Sequence, residues 1–135
     1  MHPISRLTMA AALALSWASM LAHNLNELPL RPADPENSGP LVVAIALGLG
    51  YAARPDSLLV ATLVFAWGVL NFVIGGVLSV LPLSILPFVP EQTLAHYGAH
   101  VIYTLGQLPL VMVAYRAARI AGSSRKRSAT DTVAR

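Results

Sequence analysis

Four side chains in this sequence have the types and spacing of a metal site: His23 with Glu27, and His96 with His100. The members of each pair are four residues apart, so on an α-helix each pair projects from one face. Two helices that each offer two such donors can hold an ion in a bundle core. Imidazole suits zinc, copper, iron and nickel, and a carboxylate adds charge balance. Haem is a second use, with His23 and either His96 or His100 as axial ligands from facing helices. A third use is proton or ion passage, because histidine changes charge near neutral pH. The plain structural alternative is histidines at a headgroup boundary, bonded to neighbours or water. A transition metal and haem are therefore the cofactor classes to test. The metal reading requires the two helices to be neighbours.

The second histidine pair belongs to a longer stripe. His96, His100, Tyr103 and Gln107 follow in steps of 4, 3 and 4 residues. At about 100° per residue all four stay inside an arc of about 60°. The surrounding stretch from Thr93 to Tyr115 holds no Asp, Glu, Lys or Arg and reads as a membrane span. Ionisable groups inside a span are costly and face a bundle interior or a watery cavity. Ser16, Ser19, His23 and Glu27 form a similar stripe within about 80° on the first apolar segment. Gly68, Asn71, Gly75 and Ser79 form a softer one on the third. Small residues let helix backbones approach, and Asn71 is placed to hydrogen-bond between helices. Pro109 predicts a kink in the last span, with Gln107 within reach of a freed carbonyl.

The elements that must position these groups are membrane helices. The chain is 56% hydrophobic and only 11% charged, with a mean hydropathy of +0.63. A soluble domain carries about 25% charged residues. Four spans are expected, at about 7–28, 39–53, 57–81 and 93–116, forming an all-α bundle. The second is short against the ~20 residues of a perpendicular span, which leaves a re-entrant helix as its alternative. Residues 1–22 also resemble a secretory signal, without a clean small-x-small site at Ala22. Pro29 to Pro40 contains four prolines and reads as an irregular solvent-facing loop. Arg54-Pro55-Asp56-Ser57 is a tight turn, with Asp56 or Ser57 placed to cap the third helix. Pro82, Pro87 and Pro90 forbid a continuous helix from Leu81 to Glu91. Tyr51, Tyr97 and Tyr115 are expected as interface anchors, and Trp17 and Trp67 as packing or lipid contacts.

Charge sets the orientation. Arg6, Arg54, Arg116, Arg119 and the Arg125-Lys126-Arg127 cluster all fall on one side of that topology. The other side holds Glu27, Asp34, Glu36 and Glu91, with only Arg31 as a base. The positive-inside rule then places both termini in the cytoplasm. Residues 121–135 are expected to form a disordered basic tail that favours anionic lipid. Nucleic acid is a poor partner for this chain, because no recognition motif accompanies the bases.

No P-loop, G-x-G-x-x-G, G-x-S-x-G or H-E-x-x-H motif is present. Without cysteine there is no disulfide or thiolate site. Three function classes follow. The first is a non-catalytic membrane subunit or accessory protein, partnered by lipid and by another membrane protein or its own copies. The second is a metal- or haem-binding membrane protein using His23, Glu27, His96 and His100. The third is a small transporter or channel that must oligomerise to enclose a path.

Overall fold

The computed structural model describes residues 3–86 and 89–133, with Pro87 lying outside that set. Four helices and no strands make up the described residues: α1 (Arg6–Glu27), α2 (Pro35–Ala53), α3 (Leu58–Leu70) and α4 (Leu94–Val133). A π-helical stretch, Asn71–Leu78, continues α3 without a break. Cross-helix contacts fix the directions. Ser16 meets Gln107, Tyr51 meets Ile4, and Asn71 meets Tyr103. Each helix therefore runs antiparallel to the one it contacts here. Arg6, Arg54 and Arg116 are brought to one end, and Glu27 and His96 to the other.

Local chemistry accounts for the boundaries. Ser5 caps α1 by accepting the Thr8 amide at 3.0 Å. Pro29 follows Leu28, and the helix stops there, with the Leu28 amide closing on Asn24 O. Ser57 caps α3 by accepting the Val60 amide. α2 starts earlier than the proline-rich composition predicts. Pro35 occupies its first turn, where a missing amide hydrogen costs nothing, and Asp34 stands extended before it. The irregular loop is thus confined to residues 28–34, and α2 has 19 residues instead of a short 39–53 stretch.

Two stretches are long and apolar enough to cross a membrane: Leu58–Leu78, with 21 residues, and Leu94–Arg125, with 32. α1 and α2 are more polar because His23, Asn24, Asn26 and Glu27 end one while Glu36, Asn37 and Ser38 begin the other. α4 passes through Pro109 and continues as helix to Val133, across the segment whose composition predicts disorder. That segment holds no proline, and no glycine after Gly122, so nothing in it stops a helix.

α4 is the central element. It lies against α1 on one side and α3 with the π stretch on the other, while α2 lies mainly along α1. Met9, Leu13, Val64, Leu110 and Ala114 are buried between them. Tyr51 is buried in the same core and donates to Ile4 O at 3.0 Å, so it is a core residue, not an interface anchor. Tyr97 and Tyr115 are exposed on α4. Val42, Leu49, Leu59, Val101 and Ile102 also point outward. Gly106 on α4 packs against Ser19 on α1, and a Cβ there would collide with it.

Candidate metal centre

The antiparallel contact of α1 with α4 brings His23 and Glu27, in the last two turns of α1, beside His96 and His100 at the start of α4. One ring nitrogen from each of His23, His96 and His100 lies within 4.8 Å of those from the other two. The rings are mutually tilted. His23 and His100 have centroids 4.3 Å apart at 72°, and His96 and His100 are 4.6 Å apart at 67°. His100 is buried, and His23 and His96 are half-buried.

Hydrogen bonds determine which nitrogen of each ring is available. Nδ1 of His96 lies 2.9 Å from Oε2 of Glu27. A carboxylate only accepts, so His96 donates from Nδ1. Nδ1 of His100 lies 3.2 Å from the Gly76 carbonyl, which also only accepts. For His23 the partner is a side-chain amide, since its Nδ1 faces the Asn24 side-chain oxygen at 3.2 Å. The amide of Asn37 donates to Arg31 O at 2.8 Å, which turns the Asn37 side-chain oxygen towards Asn24. The Asn24 amide donates to that oxygen at 2.8 Å, leaving its own oxygen to accept from His23. In the neutral state all three rings therefore carry hydrogen on Nδ1 and a lone pair on Nε2.

Those lone pairs pose an energetic problem. Nε2 of His23 and Nε2 of His96 are buried and have no hydrogen-bond partner among the described residues. A buried acceptor without a donor costs about 1–3 kcal/mol. Protonation does not remove the cost, since each new N–H would lack an acceptor and adjacent positive charges would repel. Water can donate to each lone pair singly, whereas one cation would serve the three rings together.

Glu27 differs from a direct donor. Its Oε2 is engaged by His96 and its Oε1 accepts from Asn26 at 2.7 Å. Its position suits orienting His96, as carboxylates do for ligating histidines. The histidines and Glu27 line a cavity of about 400 Å³ whose remaining wall includes Leu28, Ser79 and Glu91. It lies at the acidic end of the bundle, away from Arg54 and Arg116.

The remaining stripe residues are placed deeper along α4. Tyr103 is buried, lies with its ring centroid 5.6 Å from that of His23, and donates to the Asn71 side-chain oxygen at 3.1 Å. Asn71 in turn donates to Trp67 O at the start of the π stretch. Gln107 is fully buried and donates to Ser16 O and Ser19 Oγ at 3.0 Å each. It spans two helices instead of serving a carbonyl freed by Pro109. Asn24 and Asn37 escape a reading of the sequence. Asn37 looks like a loop residue until α2 is seen to begin at Pro35, and its only signal is the neighbouring helix-start pattern of Asp34-Pro35. Comparison with protein-family models, curated proteins and solved structures gave no match.

Proposed function

We propose that this chain is a four-helix integral membrane protein that binds one transition-metal ion through Nε2 of His23, His96 and His100. The observation that carries the reading is the tautomer pattern. Three separate acceptors take the three Nδ1 hydrogens, and two of the resulting Nε2 lone pairs are buried without donors. Imidazole nitrogens suit zinc, copper, iron and nickel. For tetrahedral zinc, Zn–N bonds of ~2.0–2.1 Å imply nitrogens about 3.4 Å apart, and one nitrogen of each ring lies within 4.8 Å of the other two. Haem fits less well. Its macrocycle must lie between two axial rings, and here the three rings meet edge to face.

Membrane insertion is supported by the two long apolar helices and by the apolar side chains that α2, α3 and α4 turn outward. The charge distribution supports cytoplasmic termini and a metal site near the outer face. Exposed Arg116, Arg119, Arg125 and Arg127 suit anionic lipid on the inner face. A binding role is favoured over conduction by what lies below Gln107. Leu110, Ala114 and Ala117 form a buried apolar layer there, so the polar stripe stops midway.

The test is metal titration of the full chain in detergent. The reading expects one zinc per chain, lost in the His96→Ala/His100→Ala double variant while insertion is retained. Equal zinc content in both proteins would refute it.

A further inference from the structure

We propose that the ion held by the three histidines keeps one coordination position for an exchangeable small ligand, water or a small monodentate anion, reached from the outer side. The inference rests on the metal reading above and goes further, because it assigns the site a ligand of its own. Three features support it.

The first is the donor count. Among the described residues the cluster joins three ring nitrogens, with no fourth His, Cys, Asp or Glu donor in the same group. The nearest carboxylate, Glu27, has one oxygen held by His96 and the other by Asn26. Three protein ligands with a further small ligand is the pattern of metal sites that exchange ligands, whereas structural sites close with four protein donors.

The second is space. All three histidines line the cavity of about 400 Å³, which also touches Ser79 and Glu91. A water molecule takes up about 30 Å³, so the cavity holds several. Its wall at residues 89–91 belongs to the segment before α4, at the end of the bundle where α1 ends. A ligand arriving there does not have to cross the apolar core.

The third is charge. Three neutral imidazoles leave a divalent ion's charge intact, and Glu27 offsets one unit from beyond His96. The net positive field favours an anion or a polarised water at the remaining position. The Ser79 hydroxyl donates to the Gly75 carbonyl, so towards the cavity it can only accept. That suits the hydrogens of a bound water. Glu91 is the one further carboxylate on the cavity wall, and it is exposed.

The experiment uses the full chain in detergent, loaded with cobalt(II), whose visible absorption reports ligand number and type. Azide is titrated in. The expected result is a saturable change in the cobalt bands, in both the unaltered protein and Glu91→Gln. The His96→Ala/His100→Ala variant should show no such bands. Cobalt bands that ignore azide and change in Glu91→Gln would mean that Glu91 completes the shell, and would overturn this proposal while leaving the metal reading intact. Failure to bind cobalt, or bands that persist in the double histidine variant, would overturn both.

Discussion

Oε2 of Glu27, the last residue of α1, lies 2.9 Å from Nδ1 of His96, in the first turn of α4. The two residues are 69 positions apart in sequence, and the contact ties the ends of two antiparallel helices. It also fixes the His96 tautomer and the orientation of its ring. In the proposed site the carboxylate would act on the ion through the imidazole, without touching it.

Glu27→Gln tests that role. The glutamine side chain can still accept from Nδ1 but carries no charge. Zinc affinity is expected to fall about 10–100-fold, as for other partners of ligating histidines, with little change in folding. A competition titration against a chelator of known affinity measures it. Unchanged affinity would mean that the carboxylate has no part in the site.

Asn37→Leu tests the chain of amides behind His23. It strips the half-buried Asn24 amide of its partner, at a cost of about 1–3 kcal/mol for a group left unsatisfied, while the exposed Arg31 carbonyl keeps the Asp34 amide. Both the thermal midpoint and zinc affinity should decrease. A loss of stability with zinc affinity intact would show that the Asn24 orientation does not govern His23.

Gly106→Val and Gly98→Ala form a contrasting pair. A side chain at Gly106 runs into Ser19, while a Cβ at Gly98 meets nothing within 4 Å. Gly106→Val should destabilise by about 1–3 kcal/mol, the usual range for overpacking. Gly98→Ala should be neutral or stabilise by up to about 1 kcal/mol through helix propensity. Unfolding in mixed micelles compares them, and similar behaviour of the two variants would contradict the close packing of α1 on α4.

Reporter fusions test the topology. One inserted at Ala33, in the connection between α1 and α2, and one at Ser123 should report opposite sides of the membrane. The same side at both positions would exclude cytoplasmic termini with an outer metal site.

Much of the site was legible because helical spacing is strict. Residues four apart share a face whatever the fold, so His23 with Glu27 and His96 with His100 could be paired from sequence. The meeting of the two pairs depended only on α1 and α4 being antiparallel neighbours. The partners of the rings were harder to find. Gly76 contributes a backbone carbonyl, which no residue type announces. Asn37 reaches Asn24 only because α2 begins five residues before Pro40. The proline content of that stretch signals a loop, yet Pro35 at a first helical turn is compatible with a helix. The π stretch was also hidden, although Asn71 and the Gly75-Gly76 pair mark its place. Tyr51 looked like an interface anchor because it stands near a helix end. Its burial follows from the approach of the α1 N-terminus, which local sequence does not record.

X-ray absorption at the zinc edge reports whether three imidazoles share one ion. Purified protein loaded with one zinc per chain should give a first shell of nitrogen or oxygen neighbours at about 2.0–2.1 Å. The outer-shell scattering should fit three imidazole rings, falling to two in His23→Ala. A spectrum with fewer than three imidazoles in the unaltered protein, or one that His23→Ala leaves unchanged, would contradict the account.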